Sequence, residues 1–88
     1  MQADKQDALK RLNYIEGHVN GIRKMVEDDK YCVDILRQTY AVRKAIEKLE
    51  GLLLESHLHH CVPEGIKEGK EGAVIEELVQ LYNIAGNR

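Results

Sequence analysis

The chain has 88 residues, a formal net charge of −2 and no Trp or Phe. That length allows one domain over residues 1–88, and so short a chain buries little of its surface, so a partner chain is an expected source of stability. No stretch approaches the roughly 18 apolar residues of a membrane span, and residues 1–5 contain no signal-peptide core. We therefore expect a cytoplasmic protein, whose two cysteines are metal ligands or redox sensors rather than a structural disulfide.

The first predicted helix covers residues 4–28. Apolar side chains recur along it at steps of three and four, which places them on one helix face: Leu12, Ile15, Val19, Ile22 and Val26. Gly17 and Gly21 each cost roughly 1 kcal/mol of helix propensity, and we interpret them as points of close approach to another helix. Asp28 and Asp29 then predict a break and an N-cap for the following helix.

The second predicted helix covers residues 30–60. Its apolar side chains alternate at steps of four and three in a heptad-like seam: Ile35, Thr39, Val42, Ile46, Leu49 and Leu53. At 1.5 Å per residue such a helix is about 45 Å long, which the rest of this chain is too short to cover. We therefore expect a second chain to cover it.

Pro63 is predicted to end the second helix, and the glycine-rich stretch 63–72 to form a loop. A short third helix is predicted over residues 73–84, with Val74, Leu78 and Leu81 on one face. The sequence has no strand pattern. The predicted fold class is therefore all-α, with three helices in each chain.

Two cysteines lie at opposite ends of the second helix. Cys32 is near its start and Cys61 at or just beyond its end, 29 residues apart, which is about 43 Å along a continuous helix. One chain therefore cannot bring them together, but an antiparallel pair of chains places Cys32 of one beside Cys61 of the other, twice per dimer. His57 precedes Cys61 by four residues, on the same helix face.

Two thiolates and one imidazole suit Cu(I), which accepts low coordination numbers. Structural zinc normally takes four ligands. His59 and His60 are available as a fourth ligand, so zinc stays open, although we interpret both as surface histidines. Spacing alone does not decide the matter, because a buried cysteine is usually only a small apolar residue.

Four sequence blocks now indicate a family. The blocks GHVNGI at 17–22, YCVD at 31–34, HLHHC at 57–61 and IEEL at 75–78 resemble, in order and spacing, those of the CsoR/RcnR family. The resemblance runs from about residue 10 to residue 81 and is greatest to the copper-sensitive operon repressors. It implies an antiparallel helical-bundle dimer that assembles further into a tetramer.

The resemblance also implies a function. Family members of this branch bind operator DNA in the metal-free form and leave it when Cu(I) binds, which releases copper-efflux genes from repression. The implied Cu(I) ligands are Cys32 from one chain and His57 and Cys61 from the other. Tyr31 and Glu77 correspond to the residues that hydrogen-bond the imidazole, whose second nitrogen needs to be held when the first binds metal.

Charge is distributed unevenly, with a small positive excess in residues 1–48 and a negative excess in 49–88. A phosphate-binding face would therefore come from the first half. The resemblance assigns DNA contacts to Arg11 and Lys48, and the patch is extended by three further cations: Lys10, Arg37 and Lys44. No helix-turn-helix, zinc finger or basic zipper is visible.

Related sensors of other ligands differ from this chain at specific residues. Nickel and cobalt sensors of the superfamily add an N-terminal His or amine ligand, and residues 1–5 contain no His. Persulfide sensors keep both cysteines but lack the histidine that is His57 here, and formaldehyde sensors need an N-terminal Pro where this chain has Gln2. A metal-buffering bundle without DNA binding is a further alternative. The chain has no phosphate loop, nucleophile elbow or acid–base motif, so we do not expect an enzyme.

Overall fold

The computed structural model describes residues 5–86, and that range contains helices and turns only. The elements in chain order are α1 (Lys5–Glu27), α2 (Cys32–Ser56), a π-helical segment (His57–Cys61), α3 (Val62–Lys67) and α4 (Glu71–Gly86). The predicted all-α class is confirmed. The predicted helix start at residue 4, and the expectations that rest on residues 1–4, lie outside the described residues.

The core lies between α1 and α2, which form an antiparallel hairpin. Four apolar side chains are buried there: Ala8, Ile15, Val42 and Leu49. Within each helix the two buried positions are seven residues apart, as in a coiled-coil seam. Three partly buried side chains pack against this core: Ile22, Ala45 and Leu52. Of the seam predicted for the second helix, Val42 and Leu49 are buried against α1, whereas Ile46 and Leu53 are 40% and 39% exposed.

The predicted apolar stripe of α1 is only partly buried. Leu12, Val19 and Val26 are 39%, 46% and 56% exposed, because the stripe is wider than the face that a single helix covers. The close approach predicted at Gly17 and Gly21 is wrong for the helices of this chain. A Cβ atom added at either position has nothing within 4 Å in the described structure.

The turn between α1 and α2 is closed by backbone hydrogen bonds. Asp29 adopts a left-handed conformation with φ of 53°, and the Lys30 N–H donates to the Met25 carbonyl at 3.0 Å. This pattern satisfies the last carbonyls of a helix, so the predicted break is confirmed. The predicted aspartate N-cap is wrong, because both aspartates are used to end α1. The cap of α2 is Tyr31, which makes no side-chain cap hydrogen bond.

Pro63 does not end the second helix, which corrects the prediction. The backbone stays helical through Cys61 and Val62, and the Val62 N–H donates to the His57 carbonyl five residues earlier. That wider turn is the π-helical segment. Pro63 follows in the first turn of α3, where a missing N–H and a fixed φ are tolerated. The backbone is thus helical from residue 32 to residue 67.

The second turn repeats the geometry of the first. Gly69 has a φ of 77°, and the Lys70 N–H donates to the Gly65 carbonyl at 2.8 Å. The loop predicted over 63–72 is therefore shortened to residues 68–70. The third predicted helix corresponds to α4, which is longer at both ends.

Two helical hairpins make up the described chain. At Cα separations of 8 Å or less, α1 contacts α2, and α4 contacts α3 but neither α1 nor α2. The π-helical segment joins the hairpins, and the principal extents are 55 × 29 × 14 Å. None of the described helices combines the length and apolarity that crossing a membrane requires.

Candidate metal centre and nucleic-acid interface

The two cysteines lie at opposite ends of the longest helical stretch. Cys32 is the first residue of α2 and Cys61 the last residue of the π-helical segment, and both are free and exposed. Within residues 5–86, no group of three or more His, Cys, Asp or Glu side chains is close enough to hold a metal ion. A site that uses both thiols therefore needs a second chain.

His57 opens the π-helical segment and is half-buried. It lies at one end of a groove of about 540 Å³ between the end of α2 and α4, lined on the α4 side by Leu81 and Ala85. Glu77 is exposed and precedes Leu81 by one helical turn, so it shares the α4 face that borders the groove. Glu77 itself is not among the residues that line this groove.

The two remaining histidines of the block differ in environment. His59 is exposed, and its Nε2 lies 3.9 Å from Oε1 of Glu55 on the solvent side. This position agrees with the interpretation of a surface histidine. His60 is half-buried rather than fully exposed. Tyr31, beside Cys32, is 68% exposed, so its ring is free to contact another chain.

The donor set fits a soft metal ion. Two free thiols and an imidazole are the ligand types that Cu(I) prefers, and thiolate also binds zinc. His57 and Cys61 stay on one side of the helix and could bind one ion together. Cys32, on the far end, could then supply the third donor only to the site of another chain.

A second groove brings together four of the five predicted DNA contacts. It has a volume of about 410 Å³ and lies between α1 and α2. Its lining cations come from both helices: Lys10, Arg11, Lys44 and Lys48. Four cations around one concavity can hold phosphate oxygens, with arginine able to donate two parallel hydrogen bonds. The register of the hairpin, rather than either helix alone, creates this grouping, which we call the basic groove.

Arg37 is not part of the basic groove. Its Nη1 lies 3.5 Å from Oδ1 of Asp34 on an exposed face. One acidic residue that sequence reasoning missed does line the groove, namely Asp7, with its Oδ1 3.3 Å from the Nε of Arg11. The four-residue spacing of Asp7 and Arg11 was the available signal, since such pairs meet on a helix surface.

Known proteins share much of this sequence. Residues 4–83 match a family profile described as metal-sensitive transcriptional repressor. The copper-sensing transcriptional repressor CsoR of Bacillus subtilis (strain 168) is 47% identical over 79 residues, 90% of this chain and 78% of that protein. CsoR of Mycobacterium tuberculosis (strain H37Rv) is 39% identical over 90% of this chain and 66% of that protein.

Two solved structures have the same fold. The copper-sensing repressor CsoR with Cu(I) from Geobacillus thermodenitrificans NG80-2 superposes with a TM-score of 0.90 and 38% identity, over 98% of this chain and 90% of the other. The nickel-responsive transcriptional regulator InrS superposes with a TM-score of 0.76 and 31% identity, over 94% and 93%. Because these relatives are repressors or regulators of transcription, the expectation of a non-enzyme is confirmed.

Proposed function

We propose that this chain, which belongs to the family of metal-sensitive transcriptional repressors, is a Cu(I)-responsive repressor. Its metal-free form binds operator DNA, and Cu(I) binding releases the DNA so that copper-efflux genes are expressed. The copper-sensing relatives are 38–47% identical to the chain, against 31% for the nickel-responsive regulator. A donor set of two thiols and one imidazole also favours Cu(I), because structural zinc normally requires a fourth ligand.

One observation carries the proposal: the two free thiols of the chain lie at opposite ends of one continuous helical stretch, one of them close to His57. Cys32 begins the stretch, and His57 with Cys61 lies near its other end. In an antiparallel dimer, Cys32 of one chain meets His57 and Cys61 of its partner, and symmetry repeats the site. Cu(I) bound there is held by two thiolates and an imidazole, and it links the two chains.

Exposed apolar surface supports assembly. Large apolar side chains remain exposed on every long helix, among them Leu12, Val19, Val26, Leu36, Leu53, Leu54, Val79 and Ile84. We take large apolar side chains left exposed on every long helix to mark an interaction site. We assign it to an antiparallel dimer and to the pairing of two dimers into a tetramer, with residues 1–88 acting as one domain.

The basic groove is the proposed contact with DNA. Lys10, Arg11, Lys44 and Lys48 bind backbone phosphates there, and Arg37 adds an outlying contact on the exposed face of α2. Such contacts position a protein on DNA without reading sequence. A repressor that binds operator DNA in this way acts in the cytoplasm.

Cu(I) binding and DNA binding are thermodynamically linked, so that occupancy of the metal site changes the affinity for the operator. A ligand shifts an equilibrium only by the difference in its affinity for the two states. Once one imidazole nitrogen of His57 binds Cu(I), the other nitrogen is held by Tyr31 and Glu77. Glu77 lies on α4, so this hydrogen bond ties the second hairpin to the site and holds the basic groove in a shape that fits DNA poorly.

The test is an anaerobic titration in which operator affinity is followed by fluorescence anisotropy. The probe is a labelled duplex from upstream of the protein's own transcription unit, and the metals are Cu(I), Ni(II) and Zn(II). We expect tight binding by the metal-free protein and release by Cu(I) at one ion per chain. Release by Ni(II) or Zn(II) but not by Cu(I) would contradict the metal assignment. Cu(I) binding without any affinity for the duplex would instead identify a metal buffer.

A further inference from the structure

Gly65 makes a contact that sets it apart from the other glycines of the described range. A Cβ atom added at Gly65 would lie 2.6 Å from Cγ2 of Val74, closer than real side chains approach. At Gly51 and Gly72 an added Cβ meets nothing within 4 Å. Val74 therefore packs directly against the backbone of α3 at Gly65, and a side chain at that position would require Val74 or one of the two helices to shift.

The contact between Gly65 and Val74 lies in the packing of α4 on α3. At Cα separations of 8 Å or less, α4 contacts α3 and no other described element of the chain. α3 in turn continues directly from the π-helical segment, which contains His57 and Cys61. The position of α4 relative to these two side chains is thus fixed through α3, at the point where Val74 meets Gly65.

The π-helical turn is the point at which the winding of this helical stretch departs from that of an α-helix. Its register is defined by the Val62 N–H donating to the His57 carbonyl five residues back, and such turns occur mostly as single insertions at functional sites. Any change in the winding between His57 and Cys61 rotates α3 about the helix axis. α4, packed on α3, would move with it.

We propose that Gly65 is a positioning residue that couples metal occupancy at His57 and Cys61 to α4, through its contact with Val74. An ion held by these two side chains fixes the winding of the turn between them, and this fixes the direction of α3. The contact then carries α4 with α3, which brings Glu77 to the His57 end of the groove. This inference rests on the proposed function, since DNA release is the response that is coupled.

The contact can be tested by exchanging volume across it. Gly65→Ala adds a methyl group where there is no room, and Val74→Ala removes the methyl groups that occupy the space. The double variant Gly65→Ala/Val74→Ala exchanges one for the other. Gly72→Ala is the matched control, because it adds a methyl group on α4 with nothing within 4 Å. None of these residues is a proposed metal ligand or DNA contact.

For each variant we would measure Cu(I) affinity by competition with a chromophoric chelator, and affinity for the operator duplex with and without Cu(I). Couplings in allosteric proteins typically change affinity by about 5–150-fold. The coupling is the ratio of operator affinity without Cu(I) to operator affinity with Cu(I), and we expect a ratio within that range for the parent and for Gly72→Ala. In each single variant at position 65 or 74 the ratio should fall towards one. In the double variant it should return towards the parent value. Metal-free operator affinity should stay near the parent value throughout, and Cu(I) affinity should fall only in the single variants at position 65 or 74, because the hydrogen bond between His57 and Glu77 also stabilises the bound ion.

The outcomes separate the two proposals. If the parent releases DNA with Cu(I) and all variants respond equally, Gly65 has no coupling role and the proposed function stands. A parent that does not respond overturns the proposed function first. Should Gly65→Ala fail to fold, Val74→Ala against the double variant gives the same comparison. Equal ratios in those two would overturn the inference.

Discussion

The Nε of Arg11 lies 3.3 Å from Oδ1 of Asp7, one turn earlier on α1. Both residues line the basic groove, where Asp7 is the only acidic side chain among the described lining residues. The Arg11 Nε is buried and makes no hydrogen bond within the described structure, so the carboxylate balances its charge without a directed bond. Asp7 thus lowers the positive potential at the proposed phosphate-binding surface.

Asp7→Asn should therefore tighten operator binding. Interactions between partly exposed charges are typically worth about 0.2–1 kcal/mol, so the expected gain in affinity is at most about fivefold. The measurement is anisotropy with the operator duplex at fixed salt. Glu68→Gln is the control, since it removes an ion pair with Lys70 at 3.3 Å that lies outside the groove and should have no effect. Weaker binding by Asp7→Asn would mean that the carboxylate orients Arg11 for DNA.

Charge removal on both walls of the groove should weaken DNA binding. The variant Arg11→Ala/Lys48→Ala removes one cation from each helix, and the slope of log affinity against log salt should fall by about 0.9 for each phosphate that is no longer neutralised. Lys70→Ala is the control, because Lys70 pairs with Glu68 at 3.3 Å outside the groove. Cu(I) affinity should not change. Unaltered operator affinity in the double variant at matched salt would remove these positions from the interface.

Substitutions of two proposed metal ligands should affect Cu(I) affinity and Cu(I)-induced DNA release differently. Cys32→Ala removes a thiolate and should lose both tight Cu(I) binding and DNA release. His57→Ala keeps both thiolates, so it should retain part of the Cu(I) affinity while losing most of the coupling, which is typically about 1–3 kcal/mol. His59→Ala is the matched control on the exposed face. Full DNA release by His57→Ala at saturating Cu(I) would contradict a relay through the imidazole.

The spacing of apolar residues predicted α1 and α2 well, because a helix that packs on one face must carry its apolar side chains at steps of three and four. Ile15, Val42 and Leu49 lie in the predicted stripes and are buried, and the aspartates at 28–29 end α1 as expected. Pro63 misled the prediction, because proline stops a helix only where an N–H is needed. In the first turn after a π-helical segment it is tolerated, and the helix continues to Lys67.

The residues of the proposed DNA contact could be named from the sequence, but their spatial grouping could not. Resemblance named Arg11 and Lys48, whereas their grouping with Lys10 and Lys44 depends on the register between α1 and α2, which sequence spacing does not specify. Asp7 lies four residues before Arg11 on the same helix, so its pairing with Arg11 was predictable from spacing, whereas its place beside the lysines of α2 was not. The apolar side chain against which Gly65 packs comes from a different helix, so that contact also requires the tertiary structure.

The metal site shared between two chains can be tested by mixing subunits. Cys32→Ala and Cys61→Ala homodimers each lack one thiolate in both sites, so neither should bind Cu(I) tightly. A mixed dimer regains one intact site, built from the unaltered Cys32 of one chain with His57 and Cys61 of the other.

The measurement is Cu(I) stoichiometry by chelator competition after the two variants are refolded together in equal amounts. Random pairing makes half of the dimers mixed, with one of two sites intact, so about one quarter of the parent's tight sites should return. If each site lay within a single chain, the mixture would bind no more tightly than the separate variants, and the antiparallel, two-chain copper site would be contradicted.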